Sequence, residues 1–176
     1  MRIYYRLLVW ASALGLITST SWHVLTLFGI PVSRSLWMPF FLAMFGIWFT
    51  AIISIMPLKD RIAADRSRFW KTVLEGAPTW MCLAVLYIGI YVVVNWVLTT
   101  GGLSRVTDRD PSFPRVGSAV MMLFYSSAMA MLYAAGARDR ATHCPEGHWV
   151  FEGQAVCSVC GQSAVQQTLS AARHGA

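Results

Sequence analysis

Four long stretches of this chain contain no Asp, Glu, Lys or Arg. They lie between Arg6 and Arg34 (27 residues), Arg34 and Lys59 (24), Glu75 and Arg105 (29), and Arg115 and Arg138 (22). A hydrocarbon core about 30 Å thick is crossed by about 20 apolar residues of helix, so each stretch is long enough to span one. Composition agrees: 56% of the residues are hydrophobic and 12% charged, whereas a soluble domain carries about 25% charged residues. A fifth uncharged stretch, from Gly153 to Ala172, is too rich in Gln, Ser and Gly to enter lipid.

The predicted spans are residues 7–28, 36–57, 78–98 and 117–136. Helix is the open-segment structure that satisfies its own backbone in lipid. Barrel strands would alternate apolar and polar residues over about 10 positions, and these stretches do not. Tyr4, Tyr5, Trp10, Trp37, Trp80 and Trp96 fall near the expected interfaces, as in an aromatic belt. Arg2 and Arg6 precede an apolar stretch, as in a secretory leader, but that stretch exceeds the usual 7–15 residues and is read as a retained span. The expected fold is therefore an all-α integral membrane protein. Its transmembrane domain covers 1–137, a small module covers 142–163, and 164–176 is expected to be a flexible tail.

With four spans, the N-terminus, the middle loop and the tail share one side of the membrane. That side carries Arg2, Arg6, Lys59, Arg61, Arg66, Arg68, Lys71, Arg138, Arg140 and Arg173; the other carries Arg34, Arg105, Arg109 and Arg115. Lys and Arg accumulate on the cytoplasmic side, so both termini are expected there, in a plasma or inner membrane. The formal net charge of +6 is accounted for by this bias and by contact with membrane lipid, with no nucleic acid required. Spans one and two, joined at Gly29-Ile30-Pro31-Val32-Ser33, are expected to be antiparallel neighbours. In the middle loop, Leu58, Ile62, Phe69 and Val73 share one helical face, which suggests an interfacial helix interrupted at Asp65. Asp108 and Asp110 sit beside Arg105 and Arg109 and read as a surface ion-pair cluster, not a cation site.

Three of the four cysteines fall in the tail, in the run His143-Cys144-Pro145-Glu146-Gly147-His148 and in Cys157-Ser158-Val159-Cys160-Gly161. Cys157 and Cys160 have C-x2-C spacing, and a tight turn closed by Gly161 lets both sulfurs face one ion. Cys144 and His148 bracket a second turn, and residues 149–156 between them read as a small hairpin around Gly153. The CPxGH…CxxCG arrangement resembles the paired zinc knuckles of a short zinc ribbon, over residues 142–163 only. The resemblance implies a structural zinc held by Cys144, His148, Cys157 and Cys160. The first turn departs from that pattern by one residue and by ending in His, which leaves His143 as a rival ligand. His148 is preferred, because adjacent residues rarely both reach one tetrahedral ion. A reducing cytoplasm would keep these thiols free for metal. Zinc sites with four protein ligands are structural, whereas catalytic ones keep a position open.

Within the spans, His23 and Asn95 are the polar residues of interest. No second His and no carboxylate accompanies them, so interhelical hydrogen bonding is the expected role, rather than haem ligation or proton transfer. Cys82 reads as a packing residue, the methionines of span four as gap-fillers rather than copper ligands, and its small residues Ser126, Ser127, Ala128 and Ala130 as a surface for close helix approach. The functional expectation is an adaptor or accessory subunit that presents a cytoplasmic zinc module to a protein partner or a larger membrane complex. Trp149, Val150 and Phe151 would contribute to the contact surface, with homo-oligomerisation open. The alternatives are a small oligomeric transporter or channel and, last, a membrane-embedded enzyme.

Overall fold

The computed structural model describes residues 2–30, 34–100, 113–157 and 159–162. Four long helices dominate: α1 (Arg2–Leu27), α2 (Arg34–Ile53), α5 (Thr79–Thr100) and α6 (Phe113–Arg138). Each is long and apolar enough to cross a membrane. Two short helices, α3 (Lys59–Ala64) and α4 (Phe69–Val73), lie between α2 and α5, and strands β1 (Thr142–His143) and β2 (Trp149–Val150) follow α6. The expected acidic pair Asp108 and Asp110 and the expected flexible segment 164–176 lie outside the described residues.

The four helices do not form an even ring. Helix α6 packs against α1, α5 and α2, and its contact with α1 is the most extensive; α1 and α2 touch only slightly. Spans one and two, expected to be antiparallel neighbours, do touch, but each packs more extensively on α6 than on the other. Most of α6 is buried (61% of its apolar window), against 17–22% for the others. The two most apolar helices, α2 and α5, are also the most exposed. This follows if lipid is the solvent, because apolar side chains then gain little by leaving it and association depends on close packing.

Close packing comes from the small residues of α6. Ala119, Ser126, Ala128, Ala130, Ala134 and Ala135 are buried, and glycines on either side let bulky partners approach. The Tyr125 ring on α6 occupies the space that a Cβ on Gly15 of α1 would need, and the Cβ of Tyr5 would come within 3.2 Å of one on Gly136. Tyr125 also donates its hydroxyl hydrogen to the Phe40 carbonyl of α2 at 2.7 Å. One residue of α6 thus fixes its spacing from α1 and ties it to α2.

The segment expected as one interfacial helix is broken in two. Asp65 leaves the helical region (φ −144°, ψ 88°), and its carboxylate accepts hydrogen bonds from the backbone and hydroxyl of Ser67. Those bonds hold its carboxyl below the ordinary carboxylate range, and they start a fresh turn rather than continue α3. The apolar stripe survives the break. Leu58 and Val73 are buried, while Ile62 and Phe69 pack on the cluster formed by Ala51, Val73, Ala128, Met131 and Leu132. These residues pack on one end of the bundle, whereas Trp70 stays exposed.

Because the Tyr125 ring fills the site, Gly15→Ala is expected to destabilise the bundle by about 1–3 kcal/mol. Gly46→Ala on α2, where an added Cβ meets nothing within 4 Å, is expected to be neutral or stabilising. Thermal unfolding of the two purified variants in one detergent checks the pair; equal melting temperatures would contradict the packing described.

Candidate metal centre

The chain leaves α6 through a fixed joint. Arg138 is buried and donates from Nη1 to the carbonyls of Val73 (2.9 Å) and Glu75 (3.3 Å). Arg140 pairs with Glu152 at 3.4 Å. The Phe151 ring lies against Gly76, where a Cβ would come within 2.6 Å of it. These contacts bracket the short link between α6 and the tail.

Beyond the joint, β1 and β2 pair antiparallel, Thr142 opposite Val150 and His143 opposite Trp149. The hairpin therefore closes around the first turn and not around Gly153, as the sequence had suggested. Gly153 does turn the chain, with positive φ, but Trp149 and Val150 already pair with the strand before Cys144. In the first turn the Cys144 N–H donates to the His148 carbonyl (2.9 Å) and the Gly147 N–H to the Cys144 carbonyl (2.8 Å). In the second, the Cys157 N–H donates to the Gln162 carbonyl (2.8 Å) and the Gly161 N–H to the Cys157 carbonyl (2.9 Å). Gly147 and Gly161 have φ of 78° and 71°, a region costly for a side chain with a Cβ. Each turn thus needs its glycine to bring its two ligand residues to one side.

The result is a cluster of Cys144, His148, Cys157 and Cys160 whose ligand atoms lie within 4.8 Å of one another. Cys144 Sγ is 3.5 Å from His148 Nδ1 and 3.5 Å from Cys160 Sγ. A tetrahedral zinc with ordinary bond lengths sets edges of about 3.5 Å for S to N and about 3.8 Å for S to S. The cysteines are free thiols. Three sulfurs and one imidazole nitrogen within 4.8 Å of one another, two of the distances close to tetrahedral edges, suit a soft or borderline ion such as zinc, and four protein donors around a tetrahedral ion would leave no coordination position for water.

Cys144 and Cys157 are both 1% exposed and pack with Val150 in the module's small core. Backbone N–H groups of Cys160 and Val159 aim at the Cys157 sulfur and pull its thiol down to about 7, which favours the thiolate that binds metal. A backbone N–H from Gln162 favours the Cys160 thiolate, yet burial and the sulfurs of Cys157 and Cys144 push its thiol up. One cation among these sulfurs would stabilise all three as thiolates.

His143 stands outside the cluster. It is exposed, sits opposite Trp149 in the ladder, and its ring lies 4.0 Å from the Trp149 ring. Adjacent strand residues point to opposite faces, so Cys144 turns to the site and His143 away from it. Of the three residues expected to meet a partner, Val150 is buried, while Trp149 and Phe151 are both half-buried, Phe151 against Gly76. The exposed apolar side chains of the module are Val156 and Val159.

His23 and Asn95 lie far from this centre along the chain, near the other ends of the helices, and are both buried. His23 Nδ1 contacts the Arg115 carbonyl (3.1 Å) and Ser118 Oγ (3.0 Å), and its Nε2 contacts the Tyr91 hydroxyl. A carbonyl can only accept, so Nδ1 carries the proton toward Arg115 and Nε2 accepts from Tyr91. Asn95 Oδ1 accepts from Arg115 Nε at 2.9 Å. These bonds join α1, α5 and α6. Tyr91 and Arg115 were missed by the sequence reading: Tyr91 looked like one more apolar aromatic, and Arg115 was assigned to the outer loop although it lies in the first turn of α6.

No protein-family model, curated protein or solved structure matches this chain.

Purified protein supplied with zinc is expected to hold one ion per chain by elemental analysis. His143→Ala is expected to retain it, and Cys157→Ser or His148→Ala to lose most of it. Protons compete with metal for the thiolates, so retention against a chelator is expected to fall as pH drops from 8 to 6, through the Cys157 value of about 7. Full retention in the Cys157→Ser variant would rule out this ligand set.

Proposed function

We propose that the chain is an integral membrane protein that presents a structural zinc module on the basic face of its membrane domain, as an adaptor or accessory subunit for a protein partner. The observation that carries this reading is the closed four-donor cluster, seated on the end of the most buried helix. A module of about 20 residues is too small to be stabilised by its own core. The bound ion supplies folding free energy, of the order of 10 kcal/mol for small zinc modules. Arg138, Arg140 and Phe151 hold the module against α6 and the loop after α4. Four protein ligands leave the metal no open position for a reaction, which favours a role in contact rather than in catalysis.

The sidedness rests on charge: ten of fourteen Lys and Arg residues belong to the face that carries the module, which assigns that face to the cytoplasm. The intramembrane His23–Tyr91–Arg115–Asn95 cluster supports interhelical fastening rather than a solute path, because its hydrogen bonds run from helix to helix. The partner surface falls on Val156, Val159 and the exposed edge of Trp149.

Deletion of residues 142–176 is expected to leave the protein in the carbonate-washed membrane pellet and to abolish recovery of the proteins that co-purify with the full chain. Val156→Asp combined with Val159→Asp is expected to lower that recovery at least tenfold while zinc content stays at one per chain. Unchanged recovery in both variants would overturn the adaptor reading; full-length chain in the carbonate supernatant would overturn the membrane reading itself.

A further inference from the structure

Helices α2 and α5 both lean on α6 without closing on each other, and the gap between them is an apolar groove of about 860 Å³. Leu123, Phe124 and Ser127 of α6 form its floor, Trp48 of α2 one wall, and the face of α5 from Cys82 to Val94 the other. Trp70 and Leu74 close its end on the face that carries α3 and α4. Cys82 and Val94 are twelve residues apart, so the groove runs for about 18 Å along α5. Half of a hydrocarbon core is about 15 Å. The groove thus matches the acyl region of one leaflet and is too short to seat a second spanning helix along its length.

The segment that closes this end, residues 65–75, carries more basic than acidic residues, and its acidic residues Asp65 and Glu75 are both in ion pairs. Arg66 and Lys71, within a turn of Trp70, are exposed, and neither takes part in an ion pair among the described residues, where Arg68 is paired with Asp65 and Arg61 with Glu75. An apolar slot one leaflet deep, with an exposed indole and two uncommitted cations at its rim, fits an amphiphile with apolar chains and an anionic head.

We propose that this groove is a binding site for an anionic phospholipid of the leaflet on the basic side, with an acyl chain between α2 and α5 and the phosphate at Arg66 and Lys71. The inference rests on the membrane reading above, and carbonate extraction tests that reading separately.

The test uses the full-length protein in neutral detergent, with lipid counted by native mass spectrometry and stability followed by thermal unfolding. Phosphatidylglycerol is expected to bind at one molecule per chain and raise the melting temperature; phosphatidylcholine is expected to bind at least tenfold more weakly, and inorganic phosphate to have no effect. Arg66→Glu with Lys71→Glu is expected to weaken phosphatidylglycerol binding at least tenfold. Gly89→Leu, which projects into the groove from a position where a Cβ makes only an ordinary 3.7 Å contact with Leu123, is expected to block the chain, with Gly89→Ala as the folding control. Equal binding of the two lipids would overturn the proposal. So would binding that survives Gly89→Leu, or a groove-dependent dimer that Gly89→Leu abolishes while lipid binding persists.

Discussion

The approach of α1 to α6 at Gly15, where the absence of a side chain makes room for the Tyr125 ring, sets the spacing on which the bundle is built. Lipid gives apolar helices little reason to associate, so what joins them is contact at short range and hydrogen bonds that lipid cannot replace. Helix α6 supplies both. Its alanines and serines allow close approach, Tyr125 reaches the Phe40 carbonyl of α2, and its first turn receives His23 and Asn95. Helices α2 and α5 are more apolar and more exposed than α6.

The same helix carries the fold into the metal centre. Arg138, at its last turn, is buried and caps the carbonyls of Val73 and Glu75. The loop after α4 and the start of the tail are therefore fixed by one guanidinium, and the ring of Phe151 then fits the space left by Gly76. The small module that carries the Cys3His cluster is thereby docked on α6 and the loop after α4. In an adaptor, that arrangement would present Val156 and Val159 in a constant orientation relative to the membrane.

Several features were legible because they are written in local chemistry. Uncharged runs of 22 to 29 residues mark the four long helices, and paired turns closed by Gly147 and Gly161 mark the metal cluster. Asp65 was visible as an interruption, but whether it would disturb or end the helix depended on the bonds it makes with Ser67. The hairpin was placed one turn too late, because apolar residues flank Gly153 at Trp149 to Phe151 and at Ala155-Val156, and only the partner strand at Thr142–His143 decides otherwise. Arg115 could be counted as a loop charge until its guanidinium was found on Asn95.

The sequence by itself determined where the chain must be helical and which residues come together in a cluster able to hold a metal ion. Both follow from period, spacing and the cost of charge in lipid, which act over a few neighbouring residues. Only the tertiary structure decided that α6 lies at the centre, that Val150 and Phe151 face inward, that His143 turns away from the cluster, and that a groove remains between α2 and α5. Those outcomes depend on shape matching between segments far apart in the chain, and a linear pattern of apolar residues in a lipid-facing bundle does not encode which face meets which.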